Sequence, residues 1–377
     1  MKKDYELGDE IRCWGVNIPN DVHLKLKETF DSGWINTGPR ELEFRNLLKK
    51  RFSGNYATAC MSGTAALNLA LAAAGVSEGD EVVSTPYSWL ATNTVILERG
   101  ARPVFADIRY DDWNINAEDV ERKITNKTKA IIGVHFAGNP FDLEKMRSLA
   151  SHYNIPLIED CAHAMGSWYH GHPIGHGSEY ACFSFQCVKI VTCGDGGAVL
   201  TSSEEIYDKV QRLCWYGIDK SKKRLEFIDP VPHYPDEIGF KYNMNDITAT
   251  MAVAAMGALD SALEKRAHIA QLYNEKLSKL EVIKPAVRDH NNVPNYQIYP
   301  VHVKDRELLA KIMLEDDIHL TVNNRRNDLY PVFGGLQDLP STAKCDSDSI
   351  LLPLHLGLSD NHISRIFERI DAYVKVA

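Results

Sequence analysis

From residue 55 to about 202 the chain alternates short apolar runs with segments whose apolar side chains recur every three or four positions. The runs at 56–60 (YATAC), 81–85 (EVVST), 103–108 (PVFADI), 130–136 (AIIGVHF), 156–161 (PLIEDC), 180–185 (YACFSF) and 197–202 (GAVLTS) predict seven strands. Several are apolar almost throughout, as expected of strands buried on both faces. Helical patterns lie between them at 64–75, 88–100 and 142–154. Alternation at this spacing predicts an α/β fold with a mainly parallel sheet and crossover helices. In such sheets ligands bind beyond the C-terminal ends of the strands.

The pattern changes after residue 203. A helix is expected over 204–217, then a charged, Pro-containing loop over 218–239. Residues 245–280 have helical composition, as one helix or as two broken near Gly257. Strand-like 298–303, helix-like 306–316 and a final helix over 359–374 complete the chain. This organisation predicts a large domain over 1–250 and a smaller α/β domain over 251–377, with no internal repeat.

Composition removes several function classes. The 377 residues carry a formal charge of -9, which argues against nonspecific nucleic-acid binding. The two lysines of MKKDYELGDEIRCWG are not followed by an apolar run, and no window approaches the roughly 18–20 apolar residues of a membrane span. A cytoplasmic protein without membrane association is expected. The eight cysteines form no CxxC pair, so zinc-ribbon and thioredoxin-like readings lose their main support, and most read as small buried hydrophobes.

Four features fall at predicted strand ends. In MSGTAALNLALAAAG (61–75) small residues open a helix directly after a strand, and Gly63 and Thr64 can cradle a phosphate; an ordinary Ser/Thr cap is the competing reading. In TPYSWLAT (85–92), Trp89 either stacks on a flat ring or is a core residue. In LIEDCAHA (157–164), Asp160 ends an apolar strand, where burying a carboxylate requires a cation or strong donor, and His163 follows three residues later. In FSFQCVKIVTCGDGGAV (183–199), Lys189 follows a strand and precedes glycines that let backbone approach a ligand. A desolvated lysine is partly neutral and can form a Schiff base. Ser184 lies five residues earlier, where its hydroxyl can meet a phosphate. No metal is expected: Cys187 and Cys193 lack further ligands at usual spacing, and His170, His172 and His176 of HGHPIGHG fit a surface hairpin.

Together these pieces describe a site for pyridoxal 5'-phosphate: phosphate on Gly63, Thr64 and Ser184, ring against Trp89, Asp160 on the pyridine nitrogen, and Lys189 on the aldehyde carbon.

The stretches SGWINTGP (32–39), MSGTAAL, GDEVVSTPYSWLAT, KAIIGVHFAGNP, IEDCAHAMGS, FSFQCVKIVTCGDGGAV and LLPLHLGLSD resemble the DegT/DnrJ/EryC1/StrS aminotransferases, from about residue 30 to the C-terminus. The resemblance implies a type I aminotransferase fold with a seven-stranded large domain, a smaller C-terminal domain, and a homodimer with shared active sites. It implies that Lys189 is the Schiff-base lysine, Asp160 the pyridinium partner, Trp89 the stacking aromatic, and Gly63, Thr64 and Ser184 the phosphate binders. His163 stands where many members have Gln and some have His, against the ring or its hydroxyl. Members with histidine in place of the lysine are dehydratases; Lys189 supports transamination.

Two stretches depart from the family. GFKYNM (239–244) has Lys241 at the family's Asn place and Asn243 at its Arg place, either of which can contact phosphate across a dimer. TVNNRRNDLYPVFGG (321–335) replaces a His-containing segment near the sugar; Asn324, Arg325 and Arg326 fit a substrate phosphate or carboxylate, or a solvated charged loop. The function implied is ping-pong transamination from an amino acid, L-glutamate by analogy, to a nucleotide-linked keto-deoxysugar. The alternatives are dehydration, amination of a non-nucleotide keto-sugar or cyclitol, and a non-catalytic regulatory relative.

Overall fold

A computed structural model describes residues 10–53, 56–219, 235, 237–322 and 324–377. Seven strands build the large sheet: β1 (Tyr56–Cys60), β2 (Glu81–Ser84), β3 (Arg102–Phe105), β4 (Thr128–Val134), β5 (Leu157–Asp160), and, after a short hairpin of β6 (Trp168–Tyr169) and β7 (His172–Pro173), β8 (Tyr180–Ser184) and β9 (Gly197–Thr201). Their spatial order is β1-β9-β8-β5-β4-β2-β3. β9 runs antiparallel to both its neighbours, and the other contacts are parallel. All seven expected strands are present.

The burial patterns explain the continuous apolar runs. β2 and β5 are buried at every position, and β9 likewise, because helices cover both faces. Helix Gly63–Ala73 is small and apolar almost all round, so it nests closely over one face with Leu67, Leu69 and Leu71 in the core. Phe44, Leu48, Phe183, Phe185 and Met146 fill the other face.

The 245–280 segment forms two helices, Asp246–Gly257 and Leu259–Leu277, meeting at Ala258. The first packs with the large-sheet core through Ala249, Ala252 and Val253. The second runs from that core at Leu259 and Ala262 into a second one at Ile269, Ala270 and Tyr273. That second core belongs to an antiparallel sheet of β10 (Ile283–Pro285), β11 (Tyr299–Val303) and β12 (Ser349–Leu352), covered by helices Arg306–Leu314 and Asp360–Val374. Ile11, at the opposite end of the sequence, bridges Ile318 and packs in this second core. The expected 218–239 loop lies largely outside the described residues.

Candidate active site

The strand register sets the site. Cys60 of β1 and Ser184 of β8 both pair with Gly197 of the intervening β9, so three strand ends lie in one row. Asp160 of β5 pairs with Cys182, two residues before Ser184. The turns that leave these strands therefore share one edge of the sheet.

At one side of that edge, Ser62 caps helix Gly63–Ala73, its hydroxyl accepting from the Ala65 amide at 3.0 Å. The amides of Gly63 and Thr64 precede the first intrahelical bonds and point outward with the positive end of the helix. A Cβ on Gly63 would stand 2.7 Å from the Ser184 Cβ, and one on Gly197 would strike the Ser62 carbonyl. Backbone amides and the Ser184 hydroxyl can converge here only because both positions are glycine. The segment 241–244 lies against the same turn: Asn243 bridges Cys60, and the Met61 amide donates to the Tyr242 carbonyl at 2.7 Å. Asn243 in turn donates to Thr37 Oγ1 at 2.6 Å. Lys241 lies over the Trp215 ring, 3.7 Å from its centroid, and donates to Asn243 Oδ1.

Asp160 is buried, with only neutral donors on its carboxylate: Thr92 Oγ1 at 2.8 Å and the Ala162 amide at 3.0 Å. Burial raises its pKa, although both hydrogen bonds and the Lys189 charge oppose the shift. Thr92 reaches it from the first turn of helix Ala91–Glu98, and its amide bonds the Trp89 carbonyl, which ties the Trp89 turn to the carboxylate. The Trp89 indole is 66% exposed, so it is not a core residue. His163 follows on the turn after β5 with its buried Nδ1 lacking any partner. Burial, reinforced by the Lys189 charge, pushes its pKa well down, so its imidazole is neutral.

Lys189 lies on the loop between β8 and β9, enclosed yet still partly open to solvent. Burial pushes its pKa down to about 8, against the upward pull of Asp160 and then Cys187. Gln297, beyond the reach of local sequence reasoning, clamps this loop: its Oε1 accepts from the Ile190 amide at 3.2 Å while its Nε2 donates to the Val188 carbonyl at 2.9 Å. Both peptide groups beside Lys189 are thus held by one side chain, and the backbone N–H of Gln297 donates to Asn295 Oδ1 at 2.9 Å. A glutamate cannot supply the donor half of this clamp. Gln297→Glu is expected to lower kcat about 10-fold with a smaller change in KM, and to loosen the loop in hydrogen exchange; unchanged kcat and exchange at 188–190 would show that the clamp is irrelevant to the amine.

The substrate-side expectations sort differently. Asn327, next to the expected Asn324, Arg325 and Arg326, joins their loop to the Trp89 turn: its Nδ2 donates to the Ser88 carbonyl at 2.9 Å, and its Oδ1 accepts from Asn93 at 2.7 Å. The loop therefore stands at the site. Arg326 is buried in a two-bond pair with Asp328, both at 2.6 Å, and Arg325 forms a bidentate pair with Asp346 at 2.9 and 3.0 Å. Asn324 is half-buried beside them. The HGHPIGHG segment is the β6–β7 hairpin, with His170 at its turn in the left-handed region (φ 47°).

On the opposite side of β5 from Asp160, Glu159 is fully enclosed by His135 (3.3 Å), Arg147 (3.0 Å) and Ser178 (2.7 Å). Burial alone would raise this carboxyl, and those three contacts outweigh it, holding its pKa below the usual value. With Cys161 nearby, His135 and Glu159 form the one His/Cys/carboxylate group of metal-ligand spacing among the described residues. The Arg147 cation on Glu159 makes it a buried ion-pair network that braces β5.

A part-neutral lysine near a buried carboxylate, with a small-residue anion cradle and an exposed indole beyond the strand ends of one sheet, is the site of a pyridoxal-phosphate enzyme. The residues fit the cofactor: the unpartnered His163 Nδ1 and the cation-poor Asp160 both lack what its ring would supply, and the two glycines leave room for its phosphate. The DegT/DnrJ/EryC1/StrS aminotransferase family model matches residues 17–371. An uncharacterized protein of Methanocaldococcus jannaschii, MJ1066, is 33% identical over 364 residues, covering 93% of each chain. The sugar aminotransferase CalS13 of Micromonospora echinospora superposes with a TM-score of 0.89 at 28% identity, over 96% of this chain and 99% of that one. The PLP form of a putative sugar aminotransferase from Streptococcus pneumoniae, Spr1654, also gives 0.89, at 26% identity over 97% and 99%. This chain belongs to the DegT/DnrJ/EryC1/StrS aminotransferase family, and it is a pyridoxal-phosphate-dependent aminotransferase.

The depressed Lys189 has a direct consequence. Only its neutral amine attacks the cofactor aldehyde, so cofactor uptake by the free protein should accelerate with pH up to about 8 and level off above it. Stopped-flow absorbance across pH 6–10, an experimental range set by about two units either side, checks this. A rate that keeps climbing beyond pH 9 would mean that the lysine is not desolvated.

Proposed function

We propose that this aminotransferase moves the amino group of L-glutamate onto the keto carbon of a nucleotide-linked keto-deoxysugar, in amino-sugar biosynthesis. The observation that carries the reading is the lowered-pKa Lys189 amine coupled to buried Asp160 at the strand ends. The likeness to CalS13, itself a sugar aminotransferase, supports the sugar as acceptor. Bound pyridoxal phosphate supplies an electron-withdrawing ring that makes the donor's α-proton acidic.

The chain's own groups do the rest. Asp160, whose own hydrogen-bond donors are all neutral, would accept the N–H of the pyridine nitrogen and hold that proton in place. Gly63, Thr64 and Ser184 would hold the phosphate, with Asn243 or Lys241 reaching it across a dimer, and Trp89 would cover the ring. His163, neutral and unpartnered at Nδ1, offers either a donor or an acceptor to the ring. Lys189 Nζ takes the proton from the donor's α-carbon and, in the second half-reaction, returns one to the carbon that receives nitrogen. The Asn324–Arg326 loop and Lys241 border the sugar's approach, with Arg325 the more accessible of the two arginines.

A homodimer with shared active sites fits an exposed apolar rim near the cradle. Trp34, Ile35 and Met61 all present large side chains to solvent there. Cytoplasmic residence fits eight free cysteines. No helix among the described residues is long and apolar enough to cross a membrane. The test is to add L-glutamate to the loaded protein, then nucleotide-linked keto-deoxysugars, following the visible band and product mass. Bleaching followed by a +1 Da keto-to-amine exchange, the mass difference of O replaced by NH with two added hydrogens (about +1), is expected. A band untouched by any amino acid would defeat the reading.

A further inference from the structure

We propose that Arg266 binds the α-carboxylate of the amino-acid donor, inside a cavity that it shares with Lys189. The inference rests on the amino-acid donor proposed above. Arg266 lies on helix Leu259–Leu277 and is only 4% exposed. One nitrogen, Nη1, donates to three backbone carbonyls, those of Tyr296 (2.7 Å), Gln297 (3.1 Å) and Leu354 (3.2 Å). Nε is buried without any partner.

No carboxylate among the described residues pairs with this guanidinium, in contrast to buried Arg326, which has Asp328. Burial alone pushes its pKa down to about 10. A buried cation without an anion is costly to keep, and carbonyl dipoles on one nitrogen leave the rest of the fork unused. An anion from outside the chain would complete it.

The cavity says where that anion enters and how large it is. Lys189, Ile190, Arg266 and His355 line a space of ≈ 90 Å³, together with residues 15–17 and 356–357. That is below the ~150 Å³ that accommodates a benzene ring, so it suits a carboxylate and not a nucleotide. No acidic residue lines it. His355 does not add a second cation: its Nε2 donates to the Arg12 carbonyl at 3.1 Å, and its Nδ1 accepts from the Gly357 amide at 3.1 Å. Burial holds its pKa down to about 4, so it stays neutral. The cations on the wall are Lys189 and Arg266. An α-amino acid carries its amine and its carboxylate on one carbon, so a donor whose amine is exchanged at Lys189 can place its carboxylate in this same space.

The test uses the loaded wild-type enzyme and single-turnover kinetics of the donor half-reaction. L-isoglutamine, whose α-carboxylate is an amide, is expected to react about 10²-fold more slowly than L-glutamate in kcat/KM, whereas L-glutamine, altered only in the side chain, loses far less. Arg266→Gln should slow L-glutamate by a similar factor, leave L-isoglutamine nearly unchanged, and leave the acceptor half-reaction within about threefold. Equal rates for L-glutamate and L-isoglutamine on the wild type would overturn the carboxylate site while aminotransfer stands. Equal slowing of both donors by Arg266→Gln would also overturn it, reducing the residue to a backbone clamp. If no amino acid turned over on the wild type, the donor reading and this site would fall together.

Discussion

Lys189→Ala is expected to reduce amino-group transfer by at least ~10³-fold, because it removes both the cofactor's attachment point and the amine that moves the α-proton. The loss should fall on kcat, with the phosphate cradle of Gly63 and Ser184 still able to retain cofactor noncovalently. Added small amines, which can carry protons but cannot anchor the cofactor, should restore a minor part of the rate. The variant should not be destabilised. The folded pKa is lowered from 10.5 to about 8, so below pH 8 the native state carries a desolvated charge that the unfolded chain carries at no such cost. Between pH 8 and 10.5 the unfolded chain holds a proton that the native state has released, and the native state gains relative stability as pH rises through that window. The alanine variant should therefore melt at or above the wild type below pH 8, with the difference shrinking toward pH 10.5. Thermal melts at several pH values check this; a variant that melts much lower at neutral pH would mark Lys189 as a packing residue.

Asp160→Asn is the second large effect. The amide keeps the shape and can keep the Thr92 and Ala162 contacts in part, yet it cannot hold a positive ring nitrogen. A drop of about 10²–10⁴-fold in turnover is expected, in the range associated with losing a positioned charge in a dry site. Removing the buried, cation-poor carboxylate should leave folding intact and shift the visible band of the loaded protein. Thr92→Val removes the 2.8 Å hydrogen bond to Asp160, together with the 2.8 Å contact to the Ser88 hydroxyl, while leaving the carboxylate's charge in place, and should cost roughly 10-fold or less. If Asp160→Asn lost no more than Thr92→Val, the carboxylate's charge would not matter and its role would be structural.

The large sheet was legible because its strands are buried on both faces, which leaves continuous apolar runs such as AIIGVHF and YACFSF. The site residues on strand ends were legible for the opposite reason. Asp160 and Lys189 are charged groups placed where apolar continuity ends, and each needs an explanation that packing does not give. The residues that position them left no such mark. Thr92 reads as an ordinary helical threonine, and Gln297 as a polar residue in a loop, until the fold brings each against a partner 68 and 109 positions away. Arg266 is one of several basic residues on an amphipathic helix, and only burial separates it from the rest. The arginines of 325–326 were legible as charge but not as pairs, since Asp346 lies 21 positions from Arg325.

The most direct measurement is chemical trapping of the loaded protein. Reduction with borohydride, digestion and mass mapping should place one phosphopyridoxyl adduct on Lys189, and the adduct should vanish in Lys189→Ala. An adduct on any other lysine, or a loaded wild-type protein that traps none, would contradict the role assigned to Lys189.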